Sequence, residues 1–250
     1  SNKLLAAAGW YWLAWSAPTV GQSIDCIERA ITLLRTASPR ADRDDNFSAM
    51  TDRDFQLASS LQLYAENLLD QGVTDQVAAL AAEARALFQS RGNLFGMGTS
   101  LGLLGRLALL QGDLVQAERC FQEIMTIGAP VNLRPLFYEW QAYLGLVLLY
   151  RGRTAEARRV LDESWQLCLQ SKNKVFQARA CAYLAELALW EGEVEQAAHW
   201  LAQSLEHQMT PARFTIFQVG RLLLAARLAT AQQQYQRAAT LFGFADQVHS

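Results

Sequence analysis

Proline is scarce, at 5 of 250 residues, and glycine stands at only 15. Those counts exclude collagen-like and low-complexity chains and leave room for long uninterrupted helices. The 4 cysteines, Cys26, Cys120, Cys168 and Cys181, include no CxxC pair. A disulfide scaffold and the close ligand pairs of a structural zinc are thereby excluded, and each cysteine, lying in an apolar helix-like stretch, is expected to be a buried free thiol. Histidine is rarer still: His199, His207 and His249 have no third metal ligand in register, and no Ser or Cys is paired with a His in a nucleophile motif. No catalytic residue, metal or cofactor is expected, and the chain reads as a non-enzyme. Charge of one sign is also lacking. Lys plus Arg at 22 against Asp plus Glu at 24 leaves −2, too little field to grip phosphate backbones or anionic lipid, so neither nucleic acid nor membrane is an expected direct partner. The apolar run Leu4–Trp15 falls short of the roughly 20 residues that span a bilayer. It also lacks the small residues of a signal cleavage site, since Trp15 and Pro18 flank Ala17. A cytoplasmic location is the expectation. The sequence opens Ser1-Asn2 without Met, as an excised piece of a larger protein would.

What the sequence has is apolar residues, 51% of it, and a repeat. Gly72, Gly112, Gly152 and Gly192 are spaced by 40. Leu104-Gly105, Leu144-Gly145 and Leu184-Ala185 precede the last three, and Ala117, Ala157 and Ala197 follow them. A further unit fits one residue out of step, with Gln233 at the turn, Ala238 at the small position and Phe242 after it; a first unit fits less well, with Pro18, Ser23 and Ala30. Each period predicts two helices. Leu101, Leu104, Ala108 and Leu109 make one apolar stripe, Gly112 reverses the chain, Asp113 caps the next helix, and Val115, Ala117, Phe121 and Ile124 make a second. The alanine is small where the helices of a hairpin touch. Phe121, Leu161, Leu201 and Phe242 then fill the space between successive hairpins. A hairpin with two apolar stripes cannot bury both alone, so the prediction is an all-α superhelix, a solenoid of about six hairpins, forming one domain over residues 1–250. Residues 36–54, rich in charge from Arg40 to Asp45, read as an insertion loop, and residues 128–135, with Pro130 and Pro135, as a linker.

The order Leu-Gly, apolar face, Gly-Asp, small Ala, then a large apolar residue four positions on resembles the tetratricopeptide repeat, lengthened from about 34 residues to 40. Units of this length resemble the sensor region of the large ATP-dependent LuxR-type transcriptional regulators, the maltose-regulon activator among them, and of related signal-transduction ATPases. The segment Arg237–Ala245 is similar to the ending of that region. The resemblance covers residues 61–250 and implies a ligand-sensing or protein-interaction domain of a regulator. The chain itself has no GxxxxGK loop and no basic helix-turn-helix; the resemblance implies that such parts lie outside it.

Two short patterns have plainer readings. Gly96, Gly98, Gly102 and Gly105 fall in a helical context, so close helix packing is expected there, not a dinucleotide fingerprint. Asp42, Asp44 and Asn46 mimic a calcium loop, yet Phe47 stands at its glycine and Arg53 at its glutamate. The candidate site is a concave groove lined by the first helix of each hairpin. By the tetratricopeptide register Arg106, Glu139, Tyr150, Arg179, Glu186, Trp190 and Arg227 project into it, with Glu66 and Asp70 one unit earlier. Aromatic faces beside guanidiniums and carboxylates suit a protein or peptide partner, or a small effector such as an oligosaccharide. The competing readings are a stand-alone scaffold for peptide segments or partner helices, and aromatics that merely pad the core while the charges form a solvated face. Trp10, Trp12 and Trp15 are left between core and an uncovered junction.

Overall fold

The computed structural model describes residues 2–37, 52–128, 138–171, 173–206 and 216–249. Among them there are twelve helices and no strand. The chain divides into two compact units, Ser1–Leu110 and Gln111–Ser250. The first holds α1 (Asn2–Ser16), α2 (Val20–Arg35), α3 (Arg53–Asp70), α4 (Val77–Ser90) and α5 (Leu94–Leu110). Within it each helix packs on the next, and α3 also meets α5. The second holds α6 (Leu114–Gly128), α7 (Tyr138–Tyr150), α8 (Thr154–Ser171), α9 (Lys174–Trp190), α10 (Val194–Glu206), α11 (Ile216–Ala231) and α12 (Tyr235–His249). There α7 packs on α8, α9 on α10 and α11 on α12, while α7 also meets α9, and α9 meets α11.

The hairpin turns show why the period is what it is. Gly72, Gly112, Gly152 and Gly192 have φ of 77°, 77°, 76° and 80°, the left-handed conformation in which a helix ends. Gln233 takes the same place with φ 61°, carrying a Cβ where the other turns have none. Its amide donates to the Thr230 carbonyl at 3.0 Å, as the Gly152 amide does to Leu149 at 2.9 Å. A left-handed non-glycine residue costs roughly 1–2 kcal/mol, so Gln233→Gly is expected to stabilise the protein by about 1 kcal/mol, read as a higher denaturation midpoint. An unchanged or lower midpoint would contradict that assignment.

After the Gly112 turn the second helix starts on the residue the sequence names. Asp113 accepts from the Gln116 amide at 2.9 Å, the expected cap. The first pair conforms too: Pro18 sits between α1 and α2, Thr19 caps α2, and the hydroxyl of buried Ser23 donates to the Ala14 carbonyl at 2.8 Å. Ser164 and Ser204, 40 residues apart, tie α8 to the Tyr138 carbonyl of α7 and α10 to the Ala178 carbonyl of α9, at 2.8 and 2.6 Å.

The alanine positions 117, 157, 197 and 238 are all buried. Their neighbours show how little room there is: a Cβ on Gly145 of α7 would lie 2.5 Å from the Leu161 side chain and 3.5 Å from the Ala157 carbonyl oxygen, both on α8. Gly96 is equally confined, against the Phe88 ring, which is the packing role expected of that glycine. Four residues beyond the alanines, Phe121, Leu161 and Leu201 are buried, whereas Phe242 on the last helix is 41% exposed. Phe121 stacks on Trp140 and Tyr143 of α7, centroids 6.4 and 5.5 Å away. Leu201 packs with Leu224 and Leu228 of α11.

Hairpins of the second unit are also joined by ion pairs that repeat with their signs exchanged. Glu118 of α6 holds Arg151 and Arg153; 40 residues on, Arg158 of α8 holds Glu191 and Glu193. One pair of register positions accepts either polarity, so it is complementarity and not residue identity that the period preserves.

The insertion read over residues 36–54 is narrower in the structure. Thr36 closes α2, Asp52 accepts from the Phe55 amide at 3.0 Å to cap α3, and Arg53 and Asp54 are already helical. Residues 38–51, with Asp42, Asp44 and Asn46, lie outside the described residues, as do the linker prolines Pro130 and Pro135 and His207. Cys120, Cys168 and Cys181 are buried free thiols; Cys26 is only half-buried, a departure from the expectation. Burial pushes the Cys168 thiol up to about 11 and the Cys181 thiol to about 12, the direction that makes thiols inert.

Candidate functional site

The first helices of the hairpins carry the candidate residues, and their register follows from the turn that ends each helix. In the first unit Arg106 of α5 is buried. It donates to Asp70 Oδ1 of α3 at 2.6 Å and lies 4.0 Å from Glu66. These three residues thus meet one another.

In the second unit the same rule holds twice. Glu139 of α7 pairs with Arg179 of α9, and Glu186 of α9 pairs with Arg227 of α11. Each ion pair crosses from one first helix to the next, 40 and 41 residues away. Glu186 is buried while Arg227 is open to solvent. The charges expected along this face are therefore present, but they brace neighbouring hairpins. The aromatic residues reach solvent beside that bracing: Tyr150, whose hydroxyl hydrogen-bonds Glu186, is 40% exposed and Trp190 51%. They occupy one register position, five residues beyond Gly145 and Ala185, and are 40 residues apart. Burial of its surroundings, followed by the charge of Glu186, raises the Tyr150 phenol well above its ordinary range, so it is a neutral hydrogen-bonding group throughout physiological pH.

Four residues that the sequence reading passed over complete the face. Tyr143 and Tyr183 pack at 5.4 Å between centroids, and Tyr183 meets Phe217 edge-on at 6.4 Å. The Arg179 guanidinium lies over Tyr143 and Phe217, at 5.3 and 5.2 Å, and Arg221 lies over Phe217 at 4.9 Å. Tyr143 and Tyr183 were findable, since they are themselves 40 apart, two residues before Gly145 and Ala185. Phe217 follows Phe176 by 41, the offset that α11 introduces, whereas Arg221 has only Ala180 at that spacing.

The amino-terminal tryptophans separate by burial. Trp10 is half-buried under the Arg29 guanidinium at 4.8 Å, whereas Trp12 and Trp15 are exposed together with Leu5 and Leu13. Trp10, Asp25, Glu28 and Arg29 border an open cleft of about 680 Å³. There Glu28 accepts from the Tyr64 hydroxyl at 2.6 Å and, by that bond, pushes the phenol up to about 12. Among the described residues no group of three or more His, Cys, Asp and Glu is placed to hold a metal ion, and no helix is long and apolar enough to cross a membrane.

No protein-family model matches the chain. Over 131 residues, 52% of its length, it is 33% identical to the regulatory protein AfsR of Streptomyces griseus, of which it spans 12%. Its fold is similar to that of aspartyl phosphate phosphatase F from Bacillus subtilis, with TM-score 0.74 and 14% identity over 100% of this chain and 61% of that one. A Rap protein complexed with Competence and Sporulation Factor gives TM-score 0.67 and 13% identity over 98% of this chain and 62% of the other. The chain thus spans less than two thirds of each of these proteins. What the likenesses show is the fold. It is a tetratricopeptide-like helical repeat built from all-α hairpins.

Proposed function

We propose that residues 1–250 act as one recognition domain of a larger regulatory protein, and that the first-helix face of the second unit takes an extended peptide segment of a partner. Exposure of Tyr150 and Trp190 at equivalent positions of α7 and α9, on helices otherwise nearly all buried, carries this reading. Two flat apolar surfaces at the repeat spacing match a ligand that runs from hairpin to hairpin, and Trp and Tyr are the side chains that contribute most at such contacts. The paired charges beside them fix the helices and so reduce the ordering cost of binding. The regulatory class is supported by the 33% identity to AfsR and by the 40-residue units that resemble ATP-dependent LuxR-type regulators. In that setting the bound segment biases a switch carried elsewhere in the parent protein. A small effector such as an oligosaccharide would use the same stacking surfaces.

Panning a phage-displayed dodecapeptide library on the immobilised protein tests this. Enriched peptides are expected to bind at least tenfold more weakly to Trp190→Ala and Tyr150→Ala, as loss of a central aromatic costs about 2 kcal/mol or more. Unchanged binding by both variants would remove this face from the account. Calorimetric binding of maltooligosaccharides, with no peptide enriched, would replace the peptide by the small effector.

A further inference from the structure

Successive hairpins pack in one register, and two helices leave that register unfilled. The residue nine positions after each turn is the large side chain pressed into the next hairpin. Ile27, Phe121, Leu161 and Leu201 stand there and are buried, whereas Phe242 of α12 is exposed. The receiving positions are equally regular. Phe121 stacks on Trp140 and Tyr143, which lie 12 and 9 residues before the turn that ends α7. Leu201 packs with Leu224 and Leu228, which lie 9 and 5 residues before the turn that ends α11.

All three receiving positions are buried in each of α3, α5, α7, α9 and α11. On α1 the same positions, counted back from Pro18, are Ala6, Gly9 and Leu13, and all three are exposed. Leu13 is 53% exposed where Leu107, Val147 and Leu187 are 6%, 0% and 1% exposed. The register of α1 does not rest on Pro18 alone. Buried Ser23, at the small position, bonds to the Ala14 carbonyl, and Ile27, four residues on, is fully buried.

The two uncovered surfaces complement each other. Phe242 offers a ring, while Ala6 and Gly9 offer a methyl group and bare backbone, and a Cβ at Gly9 meets nothing within 4 Å. A large side chain over small ones is the pairing that close packing between helices favours. Charge does not oppose it. Where Glu118 reaches Arg151 and Arg153, and Arg158 reaches Glu191 and Glu193, the corresponding residues are Ala239 on α12 and Ala17 and Thr19 after α1.

We propose that α1 and α12 are the two halves of an interface between copies of this chain, in which α12 of a second copy lies on α1 as α6 lies on α7, with Phe242 seated over Ala6 and Gly9 against Leu13. The contact continues between molecules the packing that already joins α2 to α3, α4 to α5, α6 to α7 and α8 to α9 within one. Because the halves differ, one copy can give α12 and receive on α1 at once. A joint of one helix on another is small, so monomers prevail in dilute solution and association grows with concentration.

Sedimentation velocity of the 250-residue chain at rising concentration tests this. Wild type should form dimers or larger species. Leu13→Arg and Phe242→Arg should each weaken association at least about tenfold and keep wild-type circular dichroism, since both side chains are exposed. Mixing the two variants separates this arrangement from others. The Leu13→Arg copy still carries Phe242 and the Phe242→Arg copy an intact α1, so the mixture should regain dimers and nothing larger. A wild-type chain that stays monomeric at every concentration would overturn the proposal, as would a mixture that does. Association that survives Phe242→Arg but not Leu13→Arg would overturn it in favour of two α1 faces packed on each other, and association that survives Leu13→Arg would remove α1 from the interface.

Discussion

Phe121→Ala is expected to cost about 3–5 kcal/mol of unfolding free energy, while Phe242→Ala, at the equivalent position three periods on, should cost about 1 kcal/mol or less. Both phenylalanines follow the small alanine by four residues, so local helix propensity does not separate them. Their neighbours do. Phe121 is fully buried and stacked on Trp140 and Tyr143, so its removal leaves a cavity lined by rings that are themselves anchored. Phe242 on α12 is 41% exposed, so part of its surface is already in water and truncation leaves no closed void. Urea denaturation of the two variants, followed by circular dichroism, measures the difference. Equal losses would mean that the position has no special relation to the next hairpin, and the nearest-neighbour account of the repeat would fail.

Ala157→Leu is the second large effect. Ala157 is fully buried, and its carbonyl oxygen is 3.5 Å from where a Gly145 Cβ would stand. Three further carbons at Ala157 have to displace α7 or force neighbouring side chains from their rotamers, at about 1–3 kcal/mol. Glu156→Gln is the control. Glu156 lies next in sequence, on the exposed side of α8, and its ion pair with Arg153 is at the surface, where such pairs contribute little. Arg153 keeps its bond to Glu118. The Leu variant should melt several degrees below wild type, and the Gln variant together with wild type. Coincident melting curves for the two variants would show that the helices do not touch at the alanine.

These two comparisons also mark what the sequence could and could not disclose. The turns were legible because a left-handed residue is required at one place per period; four glycines satisfy it, and Gln233 was found by spacing in spite of its side chain. The small and large positions were legible for a similar reason, since packing between helices penalises any other size. The first hairpin was harder to see. Its Pro18 and Ser23 replace the glycine and alanine, yet Ser23 bonds to the Ala14 carbonyl and so fits the same close contact.

The candidate face was legible only in outline. Register alone named Glu139, Arg179, Glu186 and Arg227, because residues one period apart lie side by side on adjacent first helices. That they pair with one another depends on side-chain reach and sign, which spacing does not encode. The exchange of sign between Glu118–Arg151 and Arg158–Glu191 shows why a search for recurring identities misses such contacts. Arg221 is one residue away from the register of Glu139 and Arg179 and enters through the tilt of its side chain onto Phe217, a tertiary detail absent from any periodic pattern.

The most direct measurement is hydrogen–deuterium exchange of the intact chain with and without a panned dodecapeptide at saturating concentration. The account predicts added protection in α7, α9 and α11, strongest around Tyr150 and Trp190, with α8, α10 and α12 unchanged. Protection confined to the second helices of the hairpins, with the first helices unaffected, would contradict it.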